Sequence, residues 1–447
     1  MPYPTSKHYL EQTDPDIARL IVKEEERRRD CLEMIPSENH TYPAVLEALG
    51  SILTDKYSEG YAQKRYYGGN EYIDEVELLA IDRAKKAFGV PHANVQPYSG
   101  SPANFAVYLA VCKAGDTVMG QNLPDGGHLT HGWKINPSGT LFNSVPYHVK
   151  QDGYIDLEEV RRLALEHKPR LMWCGATAYV REFPFEELGN IADEVGAYLA
   201  ADIAHIAGLV VALAHKSPVP FVHIVTTTTH KTLRGPRGAM IMVTEKGLKK
   251  DPELADKIDR AVFPAGVQGG PHNHQTAAIA VALKEALKPE FKAYGAQVVA
   301  NAKALAAELT GRGISLVSGG TDNHMILIDL TPLGKGLGVF AQEALDAAGI
   351  TVNKNTVPKD PSSPFYPSGV RAGTPALTTR GMKEKEMRQV GEWISRVLKE
   401  ISSCRLPETK EERFSSIKRF KEEIRSNPVV LEVKERIREL CAMFPLP

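Results

Sequence analysis

The 447-residue sequence predicts an α/β protein built around a mainly parallel sheet. Short apolar runs bounded by turn residues recur along the middle of the chain, and segments of helical periodicity separate several of them. Parallel strands need long crossover connections, which helices usually supply, so this alternation favours a sheet flanked by helices. The predicted strands cover residues 116–120, 170–175, 197–202, 223–226 and 238–243.

The clearest predicted helix follows Asp74. Apolar residues fall at helical spacing over 76–88, Glu77 stands three residues after the predicted cap, and Gly89 follows the last apolar residue. An acidic cap, a Glu in the first turn and a closing glycine are typical helix boundaries. A second helical pattern over 186–195 predicts one of the crossover connections.

The pattern changes in the last third of the chain, where a smaller domain is predicted. An apolar-rich helix over 277–287 ends before a proline, and a second helix is predicted over 297–309. Strands are predicted over 325–330 and 349–353. From Pro407 onward the chain is dense in Lys, Arg and Glu, which predicts a solvent-exposed helical tail.

These boundaries predict three segments. Residues 1–40 form an N-terminal arm with helices, 41–288 form the large domain, and 289–447 form the small C-terminal α/β domain with its charged tail. Ligands of open parallel sheets bind at the carboxyl ends of the strands. We therefore expect the functional site at the strand ends of 41–288.

Composition excludes several classes of protein. With 54 basic and 55 acidic residues the net charge is −1, so no overall field attracts nucleic acid or an anionic membrane. No eighteen apolar residues run together, and the first twenty residues lack the pattern of a signal peptide. An odd number of scattered cysteines predicts reduced thiols and a cytoplasmic protein. The five are Cys31, Cys112, Cys174, Cys404 and Cys441.

Tyr98 to Asn104 reads Tyr-Ser-Gly-Ser-Pro-Ala-Asn, a turn of small residues that follows a short predicted apolar strand and opens a helical segment. Alone it predicts only a tight turn. The start of a helix also leaves backbone N–H groups unbonded, and these bind phosphate.

Two further strand ends carry an acid, an imidazole and an amine. Asp202 ends one predicted strand with His205 three residues later, and the next strand leads through four threonines, residues 226–229, to His230 and Lys231. A lysine after a strand is ordinarily solvated, and an aspartate there usually caps a helix. With a phosphate turn, however, the set matches pyridoxal phosphate (PLP), which needs an amine for a Schiff base and an acid for its ring nitrogen.

At this point the sequence resembles the serine hydroxymethyltransferase family over nearly its whole length. Several long motifs appear in the order that the family has them. They are Ser37–Asn39, Lys56–Tyr61, Lys64–Gly69, Asp125–Gly132, Asp202–Leu209, Thr226–Gly238, Gln268–Pro271, Val352–Asn355 and Ser368–Thr374.

The resemblance implies a fold-type I PLP-dependent transferase with a seven-stranded sheet in its large domain. It implies reversible transfer of the serine hydroxymethyl group to tetrahydrofolate or a related reduced pterin, through an external aldimine with PLP. The products are glycine and the methylene pterin. It also implies a homodimer with shared active sites, or a tetramer built from it, that binds neither nucleic acid nor membrane, needs no metal and works in the cytoplasm.

The resemblance further implies a role for each matching residue. Lys231 would carry the cofactor, Asp202 would pair with its ring nitrogen and His128 would stack on its ring. The other cofactor contacts would be Ser99, Gly100, Ser101, Thr177 and His205, with Tyr57 and Gly270 from the partner subunit.

Substrate and pterin contacts are implied in the same way. Arg371 would clamp the substrate carboxylate with help from Ser37, and Glu59 with Tyr67 would handle protons near the serine hydroxyl. His205 would also touch the substrate. Thr228 and His230 join Lys231, Glu59 and Tyr67 as catalytic candidates. The implied pterin contacts are Glu59, Tyr66, Leu123, Gly127 and Asn355.

Three alternatives stay open from the sequence. An α-methylserine hydroxymethyltransferase or a folate-independent aldolase for β-hydroxy amino acids would use the same lysine and acid. Pocket shape at Cα separates these enzymes, and sequence does not reveal it. A non-enzymatic RNA-binding protein with this fold would need a basic surface, which a net charge of −1 disfavours.

Overall fold

The computed structural model of the protein describes residues 8–447. The chain divides into two compact units. One combines the residues up to His40 with Gln297–Pro447, and the other is the continuous stretch Thr41–Ala296. We call them the discontinuous unit and the continuous unit. The first seven residues, which begin the predicted N-terminal segment, lie outside the described part.

Helices provide most of the regular structure. Four short 3₁₀ turns lie at Ile52–Asp55, Leu123–Asp125, Val317–Gly319 and Ile424–Ser426. The α-helices of the described chain are α1 His8–Thr13, α2 Pro15–Asp30, α3 Pro43–Leu49, α4 Glu71–Phe88, α5 Gly100–Val111, α6 Pro137–Thr140, α7 Leu157–His167, α8 Phe185–Val195, α9 Ala207–Val211, α10 Glu245–Lys250, α11 Leu254–Val262, α12 Asn273–Ala286, α13 Pro289–Gly311, α14 Gly338–Ala347, α15 Pro375–Thr379, α16 Glu384–Lys399, α17 Lys410–Glu423 and α18 Pro428–Met443.

The strands fall into four sheets. β1 Leu32–Glu33 pairs with β12 Ile350–Thr351, and β2 Gly60–Tyr61 pairs with β3 Lys64–Arg65. The other strands are β4 His92–Asn94, β5 Thr117–Gln121, β6 Asn143–Tyr147, β7 Leu171–Cys174, β8 Tyr198–Asp202, β9 Ile224–Thr228, β10 Ala239–Val243, β11 Met325–Asp329, β13 Asn353–Asn355 and β14 Gly369–Gly373.

The continuous unit contains the predicted seven-stranded sheet, in the order β4-β10-β9-β8-β7-β5-β6. Strands β5 to β9 pair in parallel, and β10 runs antiparallel to both of its neighbours. The α/β class and the five predicted strands are therefore confirmed. The short strand predicted before the Tyr98 turn is confirmed as β4, whereas β6 was not predicted, because four of its five residues are not buried.

The predicted cap of the first long helix is wrong. α4 begins at Glu71 with Asn70 as its cap, so Asp74 lies within its first turns. The Asp74 carboxylate instead accepts hydrogen bonds from the Gln63 backbone and the Arg65 guanidinium, at 2.8 Å each. A long-range partner thus replaces the local capping bond. The predicted end is confirmed, because Gly89 closes the helix in the left-handed conformation at φ +68°.

The discontinuous unit has its own apolar core and a three-stranded antiparallel sheet in the order β11-β14-β13. The prediction of a fully solvent-exposed charged tail is only partly right. α17 buries no residue, whereas α18 buries five residues in this core. Apolar residues at helical spacing between the charges give α18 this buried face.

Arg380 joins α2 to the last helix of the discontinuous unit, α18. Its side chain is buried and donates to backbone carbonyls at the end of α2 and the end of α18. The acceptors are Arg28, Arg29, Cys31, Cys441 and Phe444, at 2.6–3.3 Å. The last carbonyls of a helix lack intrahelical partners and carry partial negative charge, so a guanidinium suits them.

Among residues 8–447, no helix has the length and apolar character needed to cross a membrane.

Candidate active site

A cavity of about 310 Å³ lies at the carboxyl ends of the central strands in the continuous unit. Its lining includes residues that follow β7, β8 and β9, as the parallel topology requires. The lining residues are Gly100, His128, His131, Ala176, Thr177, Asp202, Ala204, His205, Thr228 and Lys231. Seven of them are residues predicted from the sequence to bind the cofactor or to act in catalysis.

Asp202 lies in this lining with hydrogen-bond donors on both of its oxygens. Oδ2 accepts from Asn104 Nδ2 at 2.9 Å and from His131 Nε2 at 3.1 Å, and Oδ1 accepts from the backbone of Ala204 at 3.1 Å. The Asn104 amide is itself fixed, because Thr226 donates to its oxygen at 2.7 Å. The carboxylate is therefore held in one orientation beside the cavity.

These donors also keep Asp202 ionised. Burial alone would raise the pKa of the Asp202 carboxyl, but the hydrogen bond and the charge of His131, followed by the other donors, hold that pKa well below its usual range. A mostly enclosed carboxylate that is ionised at neutral pH is stabilised by a cationic N–H partner. A protonated pyridine nitrogen is such a partner.

His128 is fixed as a neutral ring. Its Nδ1 accepts from the Thr130 backbone at 3.2 Å and lies 2.7 Å from Thr130 Oγ1, which assigns the remaining proton to Nε2. Burial, and then the neighbouring His131, lower the pKa of His128 to about 4. A neutral imidazole beside the cavity can stack on an aromatic ring.

Lys231 lies in a turn after β9 that several hydrogen bonds hold in place. Arg234 donates its backbone N–H to the Lys231 carbonyl at 3.1 Å, and Thr232 Oγ1 donates to the His205 carbonyl at 3.0 Å. On the far side, Gly208 donates to Thr232 Oγ1 at 2.9 Å. The turn therefore holds the lysine in the cavity lining together with Asp202.

His230 in this turn and Thr228 at the end of β9 are catalytic candidates that differ in their surroundings. Thr228 lines the cavity, whereas His230 does not, and His230 Nε2 lies 3.4 Å from the Arg237 guanidinium. Burial and the charge of Lys231 lower the pKa of His230 to about 3. His230 is therefore neutral at physiological pH.

The predicted phosphate turn is the start of α5. Ser99 is its N-cap in extended backbone, and its hydroxyl makes no capping hydrogen bond. At Gly100 a Cβ would lie 2.9 Å from the Thr228 side chain, so only glycine lets α5 approach β9 this closely. The first N–H groups of the helix, including that of Ser101, have no partners within the helix and can bind an anion.

A separate cluster holds the residues predicted to come from a partner subunit. In the same chain, a Cβ built on Gly270 would lie 3.4 Å from the Tyr57 ring and 3.5 Å from Glu59. The Tyr57 and Tyr67 rings make an edge contact at 5.3 Å, and the charge of Glu59 raises the pKa of Tyr67. None of these four residues lines the cavity that contains Lys231.

Leu123 and Gly127, two predicted pterin contacts, lie in a tight turn after β5. The Gly127 N–H donates to the Asn122 carbonyl at 3.0 Å, and a Cβ on Gly127 would lie 2.0 Å from the Gln121 carbonyl oxygen. Leu123 lines a second cavity of about 390 Å³ that shares His128 and His131 with the first. Tyr66, a third predicted contact, is 70% exposed and packs edge-on against Phe263.

Ser37, Asn355 and Arg371 belong to the discontinuous unit. Arg371 lies in β14 opposite Asn353, and its Nε donates to Asn353 Oδ1 at 3.1 Å. Burial lowers the pKa of Arg371 to about 10. Asn355 pairs with Gly369 in the same sheet. Ser37 follows Pro36, which packs against Gly373 two residues beyond Arg371.

His128, His131 and Asp202 also have the composition of a metal site. Their ligand atoms lie within 4.8 Å of one another, and they are the one such group in residues 8–447. The hydrogen bond from His131 to Asp202 and the fixed tautomer of His128 already account for these positions. We therefore interpret the group as the anchor of an organic cation.

Sequence reasoning missed the residues that orient this anchor. In the sequence, Asn104 appears only as the end of the phosphate turn, and Thr130 appears only as a member of the Asp125–Gly132 motif with no role of its own. Asn104 lies four residues after Gly100 on α5, so one helical turn places both on the same face. That spacing was the available signal for Asn104, whereas the contact of Thr130 with His128 depends on a turn that sequence does not specify.

Comparisons with known proteins agree with this geometry. The family model described as "Serine hydroxymethyltransferase" matches residues 10–394. A protein of Acidothermus cellulolyticus named "Serine hydroxymethyltransferase" is 53% identical over 439 residues, which cover 98% of this chain and 97% of the relative. A protein of Sorangium cellulosum with the same name is also 53% identical, over 98% of this chain and 96% of the relative.

Proposed function

The chain belongs to the serine hydroxymethyltransferase family and is a transferase acting on serine and glycine, and we propose that it uses PLP and a reduced pterin to do so. The observation that carries the proposal is the cavity lined by both Lys231 and Asp202. These two residues fit the amine and acid that PLP requires.

The donors around the cavity support a specific set of cofactor contacts. Asp202, ionised and fixed by Asn104 and His131, would hold the ring nitrogen. His128 would stack on the ring, and Thr177 with His205 would bind its phenolic oxygen. Ser99, Gly100 and Ser101 at the start of α5 would hold the phosphate. When bound, PLP supplies an electron sink for cleavage of the Cα–Cβ bond of serine.

Arg371 would bind the substrate carboxylate. A guanidinium presents two parallel N–H donors to a carboxylate, which a lysine cannot do. Its buried position in β14 supports this role, because a buried cation gains most from an anionic ligand. Ser37 would add a hydrogen bond. His230 and Lys231 lie in the turn that follows Thr228 at the end of β9, and Lys231 would exchange protons at the substrate Cα.

We propose a homodimer in which each copy completes the site of the other. Glu59, Tyr57, Tyr67 and Gly270 form one cluster within a chain, and none of them lines that chain's Lys231 cavity. Tyr57 is 59% exposed and Tyr67 45% exposed, so both are accessible to a second copy. Glu59 would then move protons at the serine hydroxyl of the neighbouring site, and Tyr57 with Gly270 would contact the phosphate there.

The reduced pterin would lie near Leu123 and Gly127, with Glu59, Tyr66 and Asn355 as further contacts. The cavity that Leu123 lines borders the PLP cavity, since His128 and His131 belong to both. That adjacency supports delivery of a one-carbon unit between the two sites. The names of the relatives do not favour the α-methylserine or aldolase alternatives.

We further propose that the enzyme works in the cytoplasm. All five cysteines carry free thiols, which is typical of a reducing compartment.

Replacing Lys231 tests the proposed cofactor site. Purified wild-type protein should be yellow, and borohydride should fix PLP covalently to the peptide that contains Lys231. Lys231→Ala should still bind PLP weakly through Asp202 and the start of α5, but it should not turn over serine. Turnover by this variant near the wild-type rate would refute the assignment.

Replacing Glu59 tests the pterin-linked role. Glu59→Gln should lower hydroxymethyl transfer from serine by on the order of 10²-fold, the usual scale for losing a positioned acid or base. Cleavage of allo-threonine to glycine and acetaldehyde, assayed without pterin on the same preparation, should survive much better. Equal losses in both reactions would assign Glu59 to general binding instead. A wild-type enzyme that cleaved allo-threonine and ignored serine with every pterin would be an aldolase.

A further inference from the structure

We propose that Arg65 is a positioning residue for Glu59 and acts through the main chain on both sides of it. The proposal rests on the role given above to Glu59, which serves the cavity of the neighbouring copy. Arg65 itself would touch neither substrate nor cofactor. Its function would be to fix residues 58–60, the segment that one copy contributes to the active site of the other.

The hydrogen bonds of Arg65 enclose residue 59. Its Nη1 donates to the carbonyl of Ser58 and to the carbonyl of Gly60, at 2.9 Å each. The backbone N–H of Tyr66, the next residue, donates to the carbonyl of Glu59 itself at 3.0 Å. The carbonyls of residues 58, 59 and 60 therefore all accept hydrogen bonds from two neighbouring residues, Arg65 at the end of β3 and Tyr66 after it.

The other end of the guanidinium is anchored to α4. Arg65 Nε donates to Asp74 at 2.8 Å and Nη2 donates to Glu77 at 2.6 Å. The Arg65 side chain is only 3% exposed and that of Glu77 only 4%. Breaking a buried ion pair by removing one partner costs far more than breaking an exposed one. The Glu59 segment is thus tied to a long helix through one buried residue.

The local strands cannot hold this segment without help. β2 and β3 have two residues each, and a hairpin of that size is not stable alone. Gly60 adopts φ +98°, and a Cβ there would lie 2.3 Å from the Lys64 carbonyl oxygen. Gln96 adds a further link between this segment and α4. Its Nε2 lies 3.0 Å from the Gly60 carbonyl and 3.0 Å from Glu77 of α4.

Lysine should not replace Arg65. A guanidinium offers five donors in a fixed planar fork, whereas an ammonium is a single point that cannot reach two carboxylates and two carbonyls together. Arg65→Lys keeps the charge beside Asp74 and Glu77 but releases part of the backbone. We expect transfer from serine to fall at least ten-fold, with a smaller loss in pterin-free cleavage of allo-threonine. Lys64→Met, at the exposed neighbouring position, should change neither reaction.

Mixed dimers provide the decisive test. In the first arrangement, an Arg65→Lys chain is paired with a Lys231→Ala chain, so the one intact lysine cavity receives Glu59 from a chain with Arg65 in place. In the second, a chain carrying both substitutions is paired with a wild-type chain, so the intact cavity receives Glu59 from the Arg65→Lys chain. Both dimers contain the same two substitutions. The first should retain near half of the wild-type activity, and the second at least ten-fold less.

Equal activity in the two arrangements would overturn the role of Arg65. The same pair of arrangements made with Glu59→Gln separates this failure from failure of the proposed function. If Glu59→Gln also gave equal activities, Glu59 would not serve the neighbouring cavity at all. If only Arg65→Lys gave equal activities, the shared site would stand and Arg65 would have no positioning role.

A milder variant covers the case in which Arg65→Lys does not assemble. Gln96→Met removes one hydrogen bond to the Gly60 carbonyl and one to Glu77, and it leaves both ion pairs of Arg65 in place. It should show a smaller loss with the same dependence on arrangement. Absence of that dependence in folded Gln96→Met dimers would also contradict the proposal.

Discussion

At the scale of single residues, Asp202 shows how a charge is kept in a mostly enclosed position. Desolvation opposes its ionisation, and the hydrogen bond and charge of His131, followed by His128 and Asn104, outweigh that opposition. The carboxylate is therefore charged before any ligand arrives, so binding of a cationic ring nitrogen requires no proton release from Asp202. This preorganisation is the physical basis of the proposed cofactor site.

Asp202→Asn tests the charge with little change of shape. The amide cannot pair with a cationic nitrogen, and its NH₂ group would face the donors of Asn104 or His131. We expect PLP to dissociate at least ten-fold more readily, measured by the loss of cofactor absorbance during dialysis at neutral pH. Asp251→Asn, at a carboxylate that binds Lys257 outside the cavity, is the matched control and should retain PLP normally. Normal retention by Asp202→Asn would contradict the anchor role.

His223 should make the folded chain sensitive to acid. It is buried, and its Nδ1 accepts from the Leu199 backbone at 2.9 Å. Burial, and then Lys250 and Lys246, lower its pKa from 6.5 to about 4. The unfolded chain therefore takes up a proton near pH 6.5, whereas the folded chain resists it until about pH 4. The stability that neutral His223 gives is present above pH 6.5 and is lost as the pH falls towards 4.

The measurement is urea unfolding of the protein between pH 7 and pH 4. His223→Asn keeps an acceptor for Leu199 and removes the titration, so its stability should fall less steeply over this range. The difference should reach on the order of 2 kcal/mol. Parallel curves for the variant and the wild type would show that His223 does not contribute.

At the scale of elements, α9 and the Lys231 turn are in contact through a glycine. A Cβ on Gly208 would lie 2.3 Å from the Thr232 carbonyl oxygen, in a turn that cannot move without shifting Lys231. Gly208→Ala should lower the free energy of unfolding by about 2 kcal/mol, the scale of overpacking, and weaken PLP binding. Gly311→Ala is the control, since a Cβ there meets nothing within 4 Å. A Gly208→Ala enzyme with normal stability and PLP affinity would contradict this.

Arg380 has a comparable role between helices of the discontinuous unit. Arg380→Met would remove the guanidinium donors of five backbone carbonyls, of which Cys441 keeps the backbone N–H of Phe444. Each unsatisfied group costs about 1–3 kcal/mol, partly offset by rearrangement, so we expect a loss of roughly 3 kcal/mol or more. Arg436→Met, at an exposed position on α18, should change stability by at most about 0.5 kcal/mol. Chemical denaturation of both variants provides the comparison.

The elements were predictable where pattern and burial coincide. The runs that became β5, β7, β8, β9 and β10 are apolar and bounded by turns, so their position followed from the sequence. The start of α4 was not predictable in this way, because Asp74 and Glu77 bind the Arg65 side chain, which precedes the helix, instead of capping the helix. The buried face of α18 was hidden by its charges. Local patterns do not reveal which long-range partner a polar side chain will find.

The candidate site shows the same limit. Lys231, Asp202, His128 and Gly100 were named as site residues because a resemblance to a family transfers residues that occupy motifs, and all four line one cavity. The supporting residues Asn104, Thr130 and Arg65 act through hydrogen bonds to other residues of the site. Their chemistry is ordinary in the sequence, and only the fold brings them to their partners.

At the scale of the whole molecule, the proposed shared site makes activity depend on pairing. An Arg371→Ala chain and a Glu59→Gln chain should each be nearly inactive as homodimers. Mixed together, they should regain up to about a quarter of the wild-type activity, because one of the two sites in each mixed dimer would be intact and half of the dimers would be mixed. No recovery in a verified mixed dimer would mean that each chain builds its own site.

The two units also differ in when they can form during synthesis. The continuous unit, Thr41–Ala296, is contiguous and can fold as soon as it has left the ribosome. The discontinuous unit cannot fold at that stage, because β1 pairs with β12. The end of α2 likewise binds Arg380, which is translated later, as is α18. The first forty residues of a nascent chain therefore remain without their partners until translation is almost complete. A ribosome that stalls soon after the continuous unit has emerged from it would display that folded unit behind an N-terminal segment open to chaperones and proteases.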